Sequence, residues 1–361
     1  MKKGGKAKQS FKEKIISYVK QFKPPLTNTK LQHSLKSEVC GDNAMCGLEY
    51  NPFVGKPSLN ETNVLNKYDK YEDSFCSINF FGKHWGEGKL FFPVMKRVVY
   101  LIRSLATEEN KLSKLTVNVF LTDSKKHVPK QGEQFDFSHI NSASCMRYNG
   151  TAKIEMWRKE ELIKVFIHEL VHAFNIHGTM HNTKICDKFN NMCDGSGSGL
   201  LLNETFNEFV TIHILCAITS LWKSELFRKN TSFEKEMLKH IETRKCACVR
   251  FMEHQNISPN GILKHVVEPK SIYHYYFYPL ALLLNSGILD SLLRNKIENN
   301  AFFMDAEDNE VFQTKVIEAL NTKIFRNELK ISENCLGTSM RMSARLKGGA
   351  NGYPVWIYVL K

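Results

Sequence analysis

The chain has 361 residues, and its content of 42% hydrophobic and 11% aromatic residues indicates a packed globular protein rather than a disordered one. This length predicts one or two folded domains. The formal net charge is +13, but residues 1–37 contain ten lysines and one acid, so they carry +9 and the remainder only 13 − 9 = +4. We expect residues 1–37 to form a basic disordered tail, which either binds nucleic acid or another anionic partner or is only solvated.

The cysteines and the apolar segments indicate in which cellular compartment the protein is expected. Met1-Lys2-Lys3 is not followed by an apolar segment, so no secretory signal is expected. No stretch reaches the roughly 18 apolar residues that span a bilayer. We therefore expect a cytoplasmic, intracellular protein whose ten cysteines are reduced thiols. Cys246-Ala-Cys248 lacks the C-x-x-C spacing of a structural zinc site and is assigned no metal.

Hydrophobic periodicity separates helices from strands along the chain. Apolar residues spaced by three or four predict helices at 11–22, after Pro93, at 159–174 and at 200–222. Alternating residues predict strands at 115–122, 138–146, 151–157 and 355–360. Asn149-Gly150 predicts a hairpin turn between the second and third of these. The order indicates an α+β fold, with a small mixed sheet and the active-site helix in residues 38–178 and a mostly helical lobe in residues 179–361.

The predicted helix at 159–174 carries the motif His168-Glu169-Leu170-Val171-His172. Histidines at positions i and i+4 share one helix face, so both can bind a single zinc ion at about 2.0–2.1 Å. Glu169 lies beside this face and can accept a proton from a water molecule that zinc activates. The alternative is a chance motif on an ordinary helix, but two histidines and a carboxylate among apolar residues would be costly to bury without a partner.

A catalytic zinc site also needs a third protein ligand. Glu204 is the favoured candidate because it begins a second, largely apolar helix. Glu208 lies one turn later and can accept the free ring N–H of a ligand histidine. The competing ligands are His177, His181 and Asp187.

A three-histidine site of the form H-E-x-x-H-x-x-G-x-x-H is disfavoured. Asn175 stands where that pattern has its glycine, and Gly178 stands where it has its last histidine. His177 therefore comes one residue too early to complete the pattern.

The motifs His168-Glu169-x-x-His172 and Asn203-Glu204-x-x-x-Glu208 together resemble the gluzincin, or thermolysin-like, zinc metallopeptidases. The resemblance covers residues 140–210 and implies a zincin-like fold, bound Zn²⁺ and hydrolysis of peptide bonds. The gap between the motifs is longer than in thermolysin, and the last acid is Glu rather than Asp. Residues 154–161 are also similar to uncharacterised zincin-like proteins of large DNA viruses, which would imply a viral origin.

Two further parts of such a site have candidates in the sequence. A peptide substrate can add to an edge strand, for which residues 141–146 or 152–156 are suitable. The oxyanion of the tetrahedral intermediate needs a hydrogen-bond donor, and the segment 271–279 is rich in them. Tyr276 is the first choice and His274 the second, with Tyr273 and Tyr275 also possible.

The sequence therefore predicts a zinc-dependent peptidase acting on a peptide or protein, with Glu169 as general base. One alternative is a non-catalytic zinc-binding protein whose basic tail binds nucleic acid or an acidic partner. Another is a zinc hydrolase that acts on a non-peptide bond. No glycine-rich phosphate loop occurs, which disfavours an ATP-dependent enzyme.

Overall fold

The fold combines a small mixed sheet with a mostly helical remainder. The computed structural model describes residues 9–23, 30–35, 67–81, 88–120, 126–130, 132–135, 137–158, 161–178, 202–227, 231–261, 271–298, 302, 304–330, 335 and 339–340. The strands are β1 Lys30–Leu35, β2 Lys67–Glu72, β3 Cys76–Phe81, β4 Lys114–Phe120, β5 Ala143–Tyr148 and β6 Thr151–Met156. The helices are α1 Phe11–Gln21, α2 Gly88–Leu105, α3 Phe137–Ile140, α4 Leu162–Ala173, α5 Leu202–Phe227, α6 Phe233–His254, α7 Tyr278–Leu284, α8 Asp290–Glu298, α9 Ala306–Leu320 and α10 Lys323–Glu328. This architecture confirms the α+β class.

The six strands form one sheet in the order β1-β2-β3-β4-β6-β5. The pairs β3–β4 and β4–β6 are parallel, whereas β1–β2, β2–β3 and β5–β6 are antiparallel. The paired parallel strands β3 and β4 are buried along most of their length, as expected for a parallel part of a sheet. Within the described residues β5 pairs only with β6, so it is an edge strand, and its second half is exposed.

The hairpin between β5 and β6 turns at Asn149-Gly150, as predicted. Asn149 has φ 46° and Gly150 has φ 71°, a left-handed pair that asparagine and glycine adopt more readily than other residues. The predicted strand at 138–146 begins too early, because Phe137–Ile140 is a short helix and β5 starts at Ala143. The apolar residues of this segment were compatible with either structure.

Helix α2 begins before Pro93, which lies inside it. At its first residue the helix passes very close to β3, since a Cβ on Gly88 would lie 2.5 Å from the Phe80 ring. Glycine is required at this position because any larger residue would displace the helix from the sheet.

The described parts of residues 1–37 are helix α1 and strand β1 rather than a disordered segment, so the tail prediction is wrong there, whereas the helix predicted at 11–22 is confirmed. Ser10 and Glu13 form a capping box at the start of α1. Phe11, Ile15 and Val19 are almost completely buried, and α1 packs against α5 and α8. The prediction failed because it weighed the lysines of this segment above its apolar face.

Cys246 of α6 forms a disulfide with Cys335, which contradicts the prediction that all the cysteines are reduced thiols. The two Cα atoms lie 4.8 Å apart although 89 residues separate them in sequence, so the pairing depends on tertiary structure. Cys76, Cys145, Cys216 and Cys248 form no disulfide.

No single helix among the described residues has the length and apolar character needed to cross a membrane. The helices Tyr273–Leu284 and Ser286–Arg294, which meet at a 93° bend, would satisfy that criterion only as a pair.

Several predictions lie outside the described residues. These are the strand at 355–360 and the candidate ligands His181 and Asp187. The division into lobes at residue 178 stays a prediction.

Candidate metal centre

The candidate site lies where α4 meets α5. Helix α4 is buried on almost every side, because it packs against β5 and β6 on one side and against α5 on the other. Its apolar residues Phe166, Ile167 and Leu170 are fully buried. The packing brings one face of α4 against the first two turns of α5.

Three side chains converge at this contact. His168 Nε2 lies 3.2 Å from His172 Nε2, and each of these atoms lies 3.1 Å from Glu204 Oε2. A tetrahedral zinc ion with bonds of about 2.0–2.1 Å holds its ligand atoms about 3.3 Å apart. The three atoms therefore form a triangle of nearly the size that one metal ion requires, and these residues are a group that could hold a metal ion.

The charges at this triangle also favour a cation. Burial lowers the pKa of His168, but the hydrogen bonds to Glu204 and Glu208 outweigh it and raise the pKa to about 9. Burial raises the pKa of Glu204, but His172 and His168 outweigh it and hold that pKa below its ordinary value. The buried carboxylates thus stabilise positive charge between the imidazoles, which is what a divalent metal would supply.

Glu208 lies behind His168 and fixes its ring. Its Oε1 is 2.8 Å from His168 Nδ1, the nitrogen that faces away from the triangle. The same oxygen pairs with Lys164, and Oε2 accepts from Arg244 Nη2 at 2.6 Å. These two cations outweigh the burial of Glu208 and hold its pKa well below the usual range. Glu208 therefore stays ionised and is paired with His168 Nδ1, the arrangement expected of a residue that would support a metal ligand.

Glu169 lies in the same pocket as His168 and is only 7% exposed. Burial raises the pKa of its carboxyl group above the ordinary value, and His168 and His172 offset part of that increase. A carboxylate with a raised pKa is a better proton acceptor, so Glu169 has the environment of a general base.

His177 does not join the triangle. Its Nε2 lies 3.3 Å from His172 Nδ1, on the side away from Glu204, and its Nδ1 lies 2.6 Å from the Gly178 carbonyl oxygen. Burial and the nearby His172 lower the pKa of His177 to about 4. Asn175 has a φ of 47°, so it turns the chain where the three-histidine pattern has a glycine.

The pocket beside the candidate metal ligands is small, with a cavity volume of about 30 Å³. The start of β5 contributes Ser142 and Ala143, and Tyr275 covers another side with its ring centroid 6.0 Å from that of His168. Burial and the charges of Glu204, Glu169 and Glu208 raise the pKa of Tyr275 well above its ordinary value. The phenol of Tyr275 is therefore close enough to these carboxylates to interact with their charge.

The first choices for the oxyanion donor lie elsewhere. The Tyr276 hydroxyl donates to the Met340 carbonyl oxygen at 2.8 Å, in the segment next to the disulfide. His274 is buried, and neither residue is among the described residues that line the pocket. The structure thus brings Tyr275 to the pocket instead of Tyr276 and His274.

Sequence reasoning missed three polar residues at the site: Lys164, Arg244 and Asn207. Lys164 could have been noticed, because it lies one turn before His168 on the same apolar helix. Asn207 Nδ2 lies 3.1 Å from His172 Nδ1 and 3.0 Å from Nε2. Arg244 comes from α6, 36 residues after Glu208, and nothing local indicates its role.

In comparisons with known proteins, no family model, curated protein or solved structure matches this chain.

Proposed function

We propose that this protein is a zinc-dependent peptidase with a zincin-like arrangement of its active-site helix and edge strand. The observation that carries the proposal is the triangle of His168 Nε2, His172 Nε2 and Glu204 Oε2 with the buried carboxyl group of Glu169 beside it. Two imidazoles and one carboxylate are a common ligand set of catalytic zinc and leave a coordination position open.

In this proposal His168, His172 and Glu204 hold the metal, which when bound acts as a Lewis acid toward the scissile carbonyl and water. Glu169 accepts a proton from the attacking water while the oxygen of that water bonds to the carbonyl carbon. Glu169 then gives that proton to the nitrogen of the breaking C–N bond, so that an acid and an amine leave. Tyr275 lines the pocket and is the favoured hydrogen-bond donor to the oxyanion.

The edge strand supports a peptide rather than a small substrate. Ser142 and Ala143 at the start of β5 line the pocket next to Glu169. The outer edge of β5 is unpaired within the described residues, so an extended peptide can add to it as a further strand. The substrate backbone would then run past the metal ligands.

We expect Glu169→Gln to bind zinc with the stoichiometry of the wild type and to lose about 10²–10⁴-fold in kcat on a peptide library. The amide keeps the size of the side chain but cannot accept the proton. Zinc is measured by mass spectrometry and cleavage by fragment analysis. Glu328→Gln, which changes a partly exposed carboxylate on α10, is the matched control and should retain full activity.

Two outcomes would contradict the proposal. Full peptidase activity in Glu169→Gln would exclude this residue as the base. Stoichiometric zinc without cleavage of any peptide would favour the non-catalytic zinc protein. The binding of nucleic acid or an acidic partner by the basic tail stays the alternative function.

A further inference from the structure

The turn after α4 places His177 next to His172, one of the candidate metal ligands. His177 Nδ1 lies 2.6 Å from the Gly178 carbonyl oxygen, which can only accept a hydrogen bond. His177 Nδ1 therefore carries the proton, and His177 Nε2 is left as an acceptor. This acceptor lies 3.3 Å from His172 Nδ1, and the edge-on geometry of the rings, 73° apart, suits an N–H···N contact.

The contact determines the tautomer of His172. If His172 Nδ1 donates to His177, its proton is on Nδ1 and the lone pair of Nε2 is free. His172 Nε2 is the atom that faces His168 and Glu204. The hydrogen bonds from Gly178 through His177 thus present the correct nitrogen of His172 to the metal.

The turn that carries His177 is held on three sides. Ile176 is fully buried, and its carbonyl oxygen accepts from the Met304 backbone N–H at 3.3 Å. The Asn175 side chain donates to Asn110 Oδ1 at 3.3 Å. Because the two residues before His177 are held in this way, the position of His177 does not depend only on its contact with His172.

Asn207 is the rival for this role. Its amide group lies 3.1 Å from His172 Nδ1, and a rotated amide would present an oxygen acceptor there. The nitrogen is also 3.0 Å from His172 Nε2, so the amide lies along the ring edge rather than in line with one N–H direction. His177, in contrast, is near Nδ1 alone.

We propose that His177 is a positioning residue that fixes the tautomer and ring orientation of His172 for metal binding. The inference rests on the proposed metal centre, but it does not depend on which bond the enzyme cleaves. A residue that orients a metal ligand in this way typically contributes 10–100-fold to metal affinity.

The test is zinc affinity, measured by competition with a chromophoric chelator for the full-length protein. His177→Leu keeps a similar volume but has no acceptor, so we expect its zinc Kd to rise about 10–100-fold. His177→Gln restores an acceptor oxygen and should recover most of the affinity. His127→Ala, which removes an exposed histidine, is the matched control and should bind zinc like the wild type.

The thermal unfolding of each variant without zinc separates positioning from folding. Unchanged affinity in His177→Leu would overturn the proposal, and a loss confined to Asn207→Ala would give the role to Asn207. Equal losses in the Leu and Gln variants with a lower unfolding temperature would show a structural role and also overturn it. A wild type that binds no zinc would refute both this inference and the peptidase, whereas zinc binding without cleavage would refute only the peptidase.

Discussion

Glu208 is the residue on which the buried charges of the site converge. It contacts His168 through one oxygen, pairs with Lys164 through the same oxygen, and accepts from Arg244 through the other. The side chains of all these partners are at most 5% exposed. Buried cations are costly without a counter-ion, so Glu208 stabilises the contact between α4, α5 and α6.

We expect Glu208→Gln to lower the free energy of unfolding by about 3–5 kcal/mol, because it leaves Lys164 and Arg244 buried without a balancing charge. The measurement is urea unfolding of the protein without zinc. Glu328→Gln is the control: Glu328 is 40% exposed, and the loss there should stay below about 1 kcal/mol. Equal losses in the two variants would show that the Glu208 contacts contribute no more than a surface pair.

The sequence could single out His168, His172 and Glu204 as a group that could hold a metal ion, because helical spacing is a local property. Glu204 then comes close to the two imidazoles if the two predicted helices pack against each other, as α4 and α5 do. Tyr275 could not be distinguished from its neighbour Tyr276 in this way. The segment Tyr273–Phe277 forms a π-helical turn, and this changes which side chains face the pocket relative to a regular helix.

Helix α1 shows how local composition can mislead at the level of an element. Its lysines indicate a solvated tail, but Phe11, Ile15 and Val19 recur every four residues and the capping box marks its start. The Phe11 ring lies 5.1 Å from that of His213 on α5. The apolar face therefore belongs to the core of the protein, and only the polar face of the helix accounts for the charge.

We expect Ile15→Ala to lower the free energy of unfolding by about 2–5 kcal/mol, since Ile15 is fully buried and the substitution leaves a cavity. Lys20→Ala, on the exposed side of the same helix, should change it by less than about 0.5 kcal/mol. Chemical denaturation followed by tryptophan fluorescence measures both. A disordered tail would give no difference between these two variants.

Among the remaining features, those that depend on neighbouring residues in the sequence were predicted, and those that depend on distant residues were not. The hairpin at Asn149-Gly150 was found because its turn needs two left-handed residues. The strand order was not predicted, because the parallel pairs β3–β4 and β4–β6 join segments that are distant in sequence. The disulfide between Cys246 and Cys335 was not predicted either, because its two cysteines are also distant in sequence.

A single hydrophobic core extends from α1 through the sheet to α9 and α10, and it contains histidines that do not face the metal site. Burial lowers the pKa of His213 to about 4, and the hydrogen bond from its Nδ1 to the Phe209 carbonyl oxygen only partly opposes this. Burial also lowers the pKa of His240 to about 4. Both residues are therefore neutral in the folded protein at pH values where an unfolded chain would protonate them.

These histidines predict a loss of stability in mild acid. Because the pKa of His213 falls from 6.5 in the unfolded chain to about 4 in the folded protein, only the unfolded state binds a proton between these values. Stability should fall as the pH drops from 6.5 to 4, by up to about 3 kcal/mol for this residue. In urea unfolding without zinc, His213→Leu should lose stability less steeply over that range than the wild type. His127→Ala, an exposed control, should follow the wild type, and parallel curves for all three proteins would mean that His213 is not the group that titrates.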